Sequence, residues 1–198
     1  MKIAVTLAII LTLVLFALSF KILKEFSFNT NSLARIGLMS AITIVLYMVK
    51  LVPFPQGGGF SFLSVLPIMI LSTVFSIEEG LLCAIIVGTL KAVIQPPFFP
   101  LQLPLDYFGG MMAIAFTPIF GSSNRLKLVS GALVAGLLSI AFSILSGGIF
   151  FGQFAPEEMN PWMYSIGYNF LGYGVEVFLS IAILTIIPIS NLKQILKN

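Results

Sequence analysis

Residues 128–156 read LVSGALVAGLLSIAFSILSGGIFFGQFAP, 29 residues without an Asp, Glu, Lys or Arg. About 20 apolar residues cross a bilayer as helix, so this run outlasts one crossing before the chain turns polar at Glu157. Three further uncharged runs accompany it: Ile3–Phe20 over 18 residues, Leu51–Ile77 over 27 and Tyr107–Asn124 over 18. Only 9% of the 198 residues are charged against 59% hydrophobic, and mean hydropathy is +1.11. A soluble domain carries roughly a quarter of charged residues to cover its surface, so lipid is the solvent here. The expectation is an all-α, multi-pass protein of the cell membrane.

The predicted spans are Ile3–Phe20, Leu33–Leu51, Phe60–Ile77, Gly80–Ile94, Leu105–Phe120, Leu128–Ser146 and Trp162–Ile189. Residues 1–28 form an N-terminal hydrophobic helix, either a retained extra anchor or a signal-like segment, since Ala17-x-Ser19 resembles a cleavage site. Residues 29–198 then hold six helices. Basic residues cluster at Lys21, Lys24 and Arg35, at Arg125 and Lys127, and at Lys193 and Lys197. Placing all three clusters in the cytoplasm satisfies the positive-inside bias and leaves Lys2, Lys50 and Lys91 on or near the other side. The net charge of +3 is scattered, so no nucleic-acid partner is expected.

On that assignment the cytoplasmic turns are plain, whereas the outer connections VPFPQGGGFSF, IQPPFFPLQLPLDY and GGIFFGQFAPEEMNPW mix Pro and Gly with aromatics. Irregular backbone at membrane depth persists where protein or a cavity satisfies its polar groups. Three such segments on one side predict either an outward cavity or an interfacial aromatic belt. Small residues recur at helical spacing: Gly80, Ala84, Gly88 and Ala92; Gly37 and Ala41; and Ala132, Gly136, Ser139, Ser143 and Gly147. Such stripes allow close helix packing, internally or against a partner. The lone Cys83 reads as packing filler.

With no histidine, a Ser-His or Cys-His pair and an imidazole zinc site are excluded, and no P-loop motif occurs. The chain is not expected to be an enzyme or to carry a cofactor or metal. Glu78 and Glu79 read as a solvated pair at a cytoplasmic turn. Three ionisable residues lie deep: Lys91, Asp106 and Glu176. A charge within a span costs at least ~2.5–3.5 kcal/mol on insertion scales, so it tends to be paired or functional. Asp106 is either a helix-start carboxylate or a ligand for a cation. Lys91 either snorkels outward or pairs with an acid. In GGIFFGQFAPEEMNPWMYSIGYN, Phe150, Phe151, Phe154, Trp162 and Tyr164 offer flat faces for a heteroaromatic ring, and Asn169 a donor and an acceptor for its edge. That segment reads as a lid over a pocket.

The run SGGIFFGQFAPEEMNPWMYSIGYN, with PLQLPLDY and GGGFSFLSVLPIMIL before it, resembles the thiamine-specific substrate-binding (S) component of energy-coupling factor (ECF) transporters, from about Leu33 to Pro188. The first helix lies outside the resemblance. It implies a six-helix domain in a bacterial plasma membrane that captures a vitamin from outside and works with a transmembrane coupling subunit and two cytoplasmic ATPases. It further implies that Asp106 neutralises or hydrogen-bonds the cationic vitamin, that Phe151 stacks, and that Tyr164 and Asn169 read the pyrimidine edge. Tyr107, Gln102, Ser143, Glu176 and Trp162 complete the expected substrate-binding set, with Gly37 and Ala41 meeting the coupling subunit. The sequence departs from relatives at Ser143 (histidine in some), Phe151 (Trp in some) and Lys91 (aromatic).

Other readings remain: an S component for another pyrimidine or vitamin, a stand-alone carrier with Asp106 and Glu176 as proton sites, or a scaffold whose small-residue stripes assemble partners. Dependence of uptake on separate ATPases distinguishes the first from the carrier, and the scaffold binds no ligand tightly.

Overall fold

The computed structural model describes residues 2–195, so Lys197 of the third basic cluster lies outside the described residues. Among the described residues, four helices are long and apolar enough to cross a membrane: α1 (Lys2–Leu23), α2 (Thr30–Met48), α6 (Arg125–Phe150) and a continuous helix over Pro161–Ile186. They expose apolar side chains on their outer faces, among them Leu7, Leu38, Leu137 and Leu171. Helix α4 (Ile77–Ile94) has comparable length but carries Glu78, Glu79 and Lys91. A short helix α9 (Ile189–Ile195) closes the described chain.

Two predicted spans are shorter than expected. The Phe60–Ile77 stretch contains only α3 (Leu66–Val74), nine residues, or about 13.5 Å at 1.5 Å per residue. That is too short to cross a bilayer core of about 30 Å. Nearly all of α3 is buried, so it forms the centre of the bundle. The residues before it build a hairpin of β1 (Lys50–Pro53) and β2 (Gly59–Ser61), antiparallel with Val52 opposite Phe60 and Pro53 opposite Gly59. Gly59 has φ 124°, and a Cβ there would collide with the Val52 carbonyl, so only glycine fits that turn. The Leu105–Phe120 stretch is a wide-turned π-helix over Leu103–Gly109 continuing into α5 (Gly110–Ala115), every residue of which is buried. Long lipid-facing helices thus surround two short buried ones.

One end of the bundle is organised by caps and charge. Asn29, Ser76 and Asn124 accept hydrogen bonds from the backbone N–H groups of Ser32, Glu79 and Lys127, fixing the starts of α2, α4 and α6. Glu79 is not solvated as expected. It is 4% exposed and takes two hydrogen bonds from Arg35, at 3.0 and 2.5 Å, while the Arg35 guanidinium stacks on Phe75 at 4.1 Å. Lys193 donates to Ser122, tying α9 to the turn before α6.

Two small-residue stripes are internal. On α4, a Cβ at Gly80 would meet Ser72 of α3, and one at Gly88 would lie 2.5 Å from the Tyr107 carbonyl oxygen. On α6, Gly136 packs against Val177 and Ile181 of α8 (Val175–Ile186). Gly37 and Ala41 instead lie on the exposed face of α2, and nothing stands within 4 Å of a Cβ added at Gly37. Buried Cys83 accepts a hydrogen bond from Ser40, a packing position.

Candidate functional site: a covered cavity at one end of the bundle

At the end opposite the caps, a cavity of about 160 Å³ opens between the C-terminal ends of α2, α4 and α6, the Leu103–Gly109 helix and the first half of the Pro161–Ile186 helix. Segments Gln56–Gly59 and Ser61 of the β-hairpin form part of its wall. Both wide-turned segments adjoin it: Leu103–Gly109, and Phe170–Gly174 between α7 (Pro161–Asn169) and α8. A π-turn inserts an extra residue and re-aims the side chains beside it, a common arrangement at functional sites.

The hydrogen-bond partners of Asp106 are neutral side chains only. One oxygen accepts from Ser146 Oγ at 2.5 Å and from Gln102 Nε2 at 3.3 Å. Gln102 is oriented in turn, because its Oε1 accepts from the Phe99 N–H at 2.9 Å. The second Asp106 oxygen takes no hydrogen bond, and Asp106 forms no ion pair, among the described residues. Tyr107 donates to the Gln95 carbonyl at 2.7 Å, bracing the π-helix against the end of α4.

Phe151, Tyr164, Asn169 and Ser143 also line the cavity. Phe151 stands edge-on to Phe98 at 5.7 Å, and Tyr164 is tilted against Tyr168 at 5.8 Å. Asn169 Nδ2 donates to the Ser165 carbonyl at 2.9 Å, which fixes the amide and leaves Oδ1 without a partner among the described residues. Glu176 reaches the cavity but is 1% exposed and fully engaged. It accepts from the N–H groups of Ser61 at 3.1 Å and Ser64 at 2.7 Å, and from Ser64 Oγ at 2.5 Å. This carboxylate anchors the hairpin.

Trp162 does not line the cavity. It lies about 200° round the helix from Tyr164, and its ring covers Gly148, where a Cβ would strike it, packing α7 onto α6. Phe150 stacks on Phe99 instead, at 5.5 Å. Residues of the 147–169 segment share the cavity lining with the β-hairpin. The hairpin tip is fastened by Tyr168, whose hydroxyl donates to the Pro55 carbonyl and accepts from the Gly58 N–H at 3.1 Å.

Sequence reasoning missed Tyr47, Lys50, Gln95, Tyr168 and Tyr173, all of which line the cavity. Their signal was position: each sits beside a Gly- or Pro-rich connection or, as Tyr173 does, within or next to a wide turn. Tyr173 donates to Ser139 Oγ at 2.6 Å, since the Ser139 proton is spent on the Gly110 carbonyl at 2.7 Å. Burial pushes the Lys50 ammonium below its usual range, and the negative charge of Glu176 opposes that shift. Tyr168→Phe removes both fastenings of the hairpin tip. At about 0.5–1.5 kcal/mol for each of the two net hydrogen bonds, ligand release should accelerate roughly five- to a hundredfold in stopped-flow dissociation, with the fold unchanged by circular dichroism.

A family model described as thiamine transporter protein matches residues 33–196, leaving α1 outside the match. The thiamine transporter ThiT of Bacillus subtilis (strain 168) is 31% identical over 182 residues, covering 84% of this chain and 94% of that protein. A solved structure of ThiT from Listeria monocytogenes matches with a TM-score of 0.68 at 19% identity, over 78% of this chain and 91% of that one, a likeness of fold. With its membrane-length helices and its covered cavity, the chain belongs to the thiamine transporter protein family.

Proposed function

We infer that the chain is the substrate-binding subunit of an ECF-type importer that captures thiamine in the covered cavity. The observation that carries this reading is Asp106: a carboxylate at an aromatic-walled cavity, with one oxygen open and no cation paired to it among the described residues. An organic cation with a flat ring is the complement of that site. Phe151 and Tyr164 supply ring contacts, and Asn169 Oδ1 accepts from an exocyclic amine. The exocyclic amine of thiamine's aminopyrimidine presents N–H donors, so an acceptor is the group it needs.

Orientation follows from charge. Arg35, Arg125 and Lys193 lie at the capped end, so the positive-inside bias turns the cavity outward. The chain contains no P-loop, and uptake then requires a transmembrane coupling subunit and two cytoplasmic ATPases. The exposed Gly37–Ala41 face of α2 suits close helix approach by the coupling subunit. Helix α1 serves as an added anchor beside a six-helix domain over residues 29–198.

Calorimetric titration of the detergent-purified protein with thiamine tests the reading. One site with sub-micromolar affinity is expected. Saturation by a different pyrimidine or vitamin, with no heat from thiamine, would move the ligand assignment. Thiamine uptake in cells that vanishes with an uncoupler yet ignores loss of the ATPases would identify an ion-coupled carrier instead.

A further inference from the structure

Two lysines share one tyrosine on the cavity wall, and neither has an acid. Lys50 Nζ lies 4.0 Å and Lys91 Nζ 4.6 Å from the centroid of the Tyr47 ring, and all three residues line the cavity. Lys91 Nζ is also 5.9 Å from the Tyr107 ring. Lys50 spends one of its N–H groups on Ser61 Oγ at 2.9 Å. The Lys91 ammonium makes neither a hydrogen bond nor an ion pair among the described residues. The Tyr47 hydroxyl donates to Gln95 Oε1 at 2.7 Å, and both ammonium groups lie over its ring without a hydrogen bond to its oxygen.

No carboxylate pairs with either lysine among the described residues, so Glu176 and Asp106 act on them only from beyond ion-pair distance. Glu176 is held by Ser61 and Ser64, and the engaged oxygen of Asp106 by Ser146 and Gln102. A ring face returns only part of what water gave an ammonium, and an enclosed cation with unused donors is costly until an anion meets it. Both ammonium groups lie within 4.6 Å of the centre of one ring and line the same cavity, so an anion held there feels two positive charges.

We propose that Tyr47, Lys50 and Lys91 form an anion subsite, and that the cavity binds an organic cation bearing a phosphate monoester more tightly than the bare cation. This rests on the reading of the cavity as a thiamine site. The monophosphate ester sits on the hydroxyethyl arm that leaves the thiazolium ring, so Asp106 would take the charge of the ring and the lysines the ester at the end of its arm. The same lysines oppose the bare cation.

The phosphate could be attached to the vitamin or enter as a free ion beside it, and calorimetry with three probes separates the two. Thiamine, thiamine monophosphate, and thiamine with excess inorganic phosphate are titrated into the full chain and into Lys91→Met and Lys50→Met. The full chain should bind the monophosphate at least tenfold more tightly than thiamine. Lys91→Met should weaken the monophosphate tenfold or more and tighten thiamine, opposite shifts that misfolding does not produce. Lys50→Met should move both in the same directions by less, since Ser61 already takes part of its bonding. Equal losses for both ligands in Lys91→Met, or a full chain that prefers bare thiamine, overturn the subsite. A tenfold gain for thiamine on adding inorganic phosphate overturns the ester in favour of a free anion. Failure of both vitamin forms to bind overturns the thiamine reading together with the subsite; thiamine binding without preference for the ester overturns the subsite alone.

Discussion

Asp106→Asn should weaken thiamine binding about a hundredfold while leaving thermal unfolding in detergent within a few degrees of the parent. The substitution keeps the shape and an oxygen able to accept from Ser146 and Gln102, whose bonds at 2.5 and 3.3 Å hold the side chain in place. What it removes is the charge. A unit cation about 6 Å from a carboxylate at an effective dielectric near 20 is attracted by roughly 3 kcal/mol, and ~1.4 kcal/mol corresponds to tenfold in affinity. The Asn amide can also turn its N–H groups toward the ligand, adding to the loss. Calorimetry reads the effect directly. A change smaller than threefold would mean that the ring contacts of Phe151 and Tyr164 hold the ligand without help from charge.

Glu176→Gln should act on a different quantity. The carboxylate accepts three hydrogen bonds that bring the hairpin end and the start of α3 onto α8. A Gln side chain has one accepting oxygen, so its NH₂ group must face either the Ser61 or the Ser64 N–H. A buried donor left unsatisfied costs about 1–3 kcal/mol, enough to loosen the cover by one to two orders of magnitude. Thiamine release should accelerate tenfold or more in stopped-flow dissociation, with a much smaller change in association. Hydrogen exchange at the Ser61 and Ser64 amides should rise in parallel. Weakened binding with those amides still protected would instead place Glu176 in direct contact with the ligand. Deleting the acceptor altogether, as in Glu176→Ala, should lower the unfolding temperature further than Gln does.

These two acids looked alike in the sequence, both deep and both beside apolar runs, and the reason they differ was not legible there. The partners of Glu176 lie 112 and 115 residues away in the hairpin, and no local pattern announces that pairing. The membrane class was legible because uncharged runs of 18 to 29 residues have one physical solution. The same signal overstated α3: the Leu51–Ile77 run holds a hairpin that exposes Leu51 and Val52 and a helix that is nearly all buried, and neither carries charge, so composition alone does not separate them from a span. Trp162 was grouped with the cavity aromatics by segment, whereas its helical face points it at Gly148. The wide turns at Leu103–Gly109 and Phe170–Gly174 depend on tertiary packing and leave no period to read. Lys91 fitted neither expectation, as it neither snorkels out nor pairs with an acid but lies against Tyr47.

The most direct test is an experimental structure of the protein with thiamine bound. The aminopyrimidine and thiazolium rings should lie between Asp106, Phe151, Tyr164 and Asn169, beneath Gln56–Gly59, with the open Asp106 oxygen turned to the ligand. Thiamine found elsewhere, or this cavity closed by side chains while the vitamin still binds, would contradict the account.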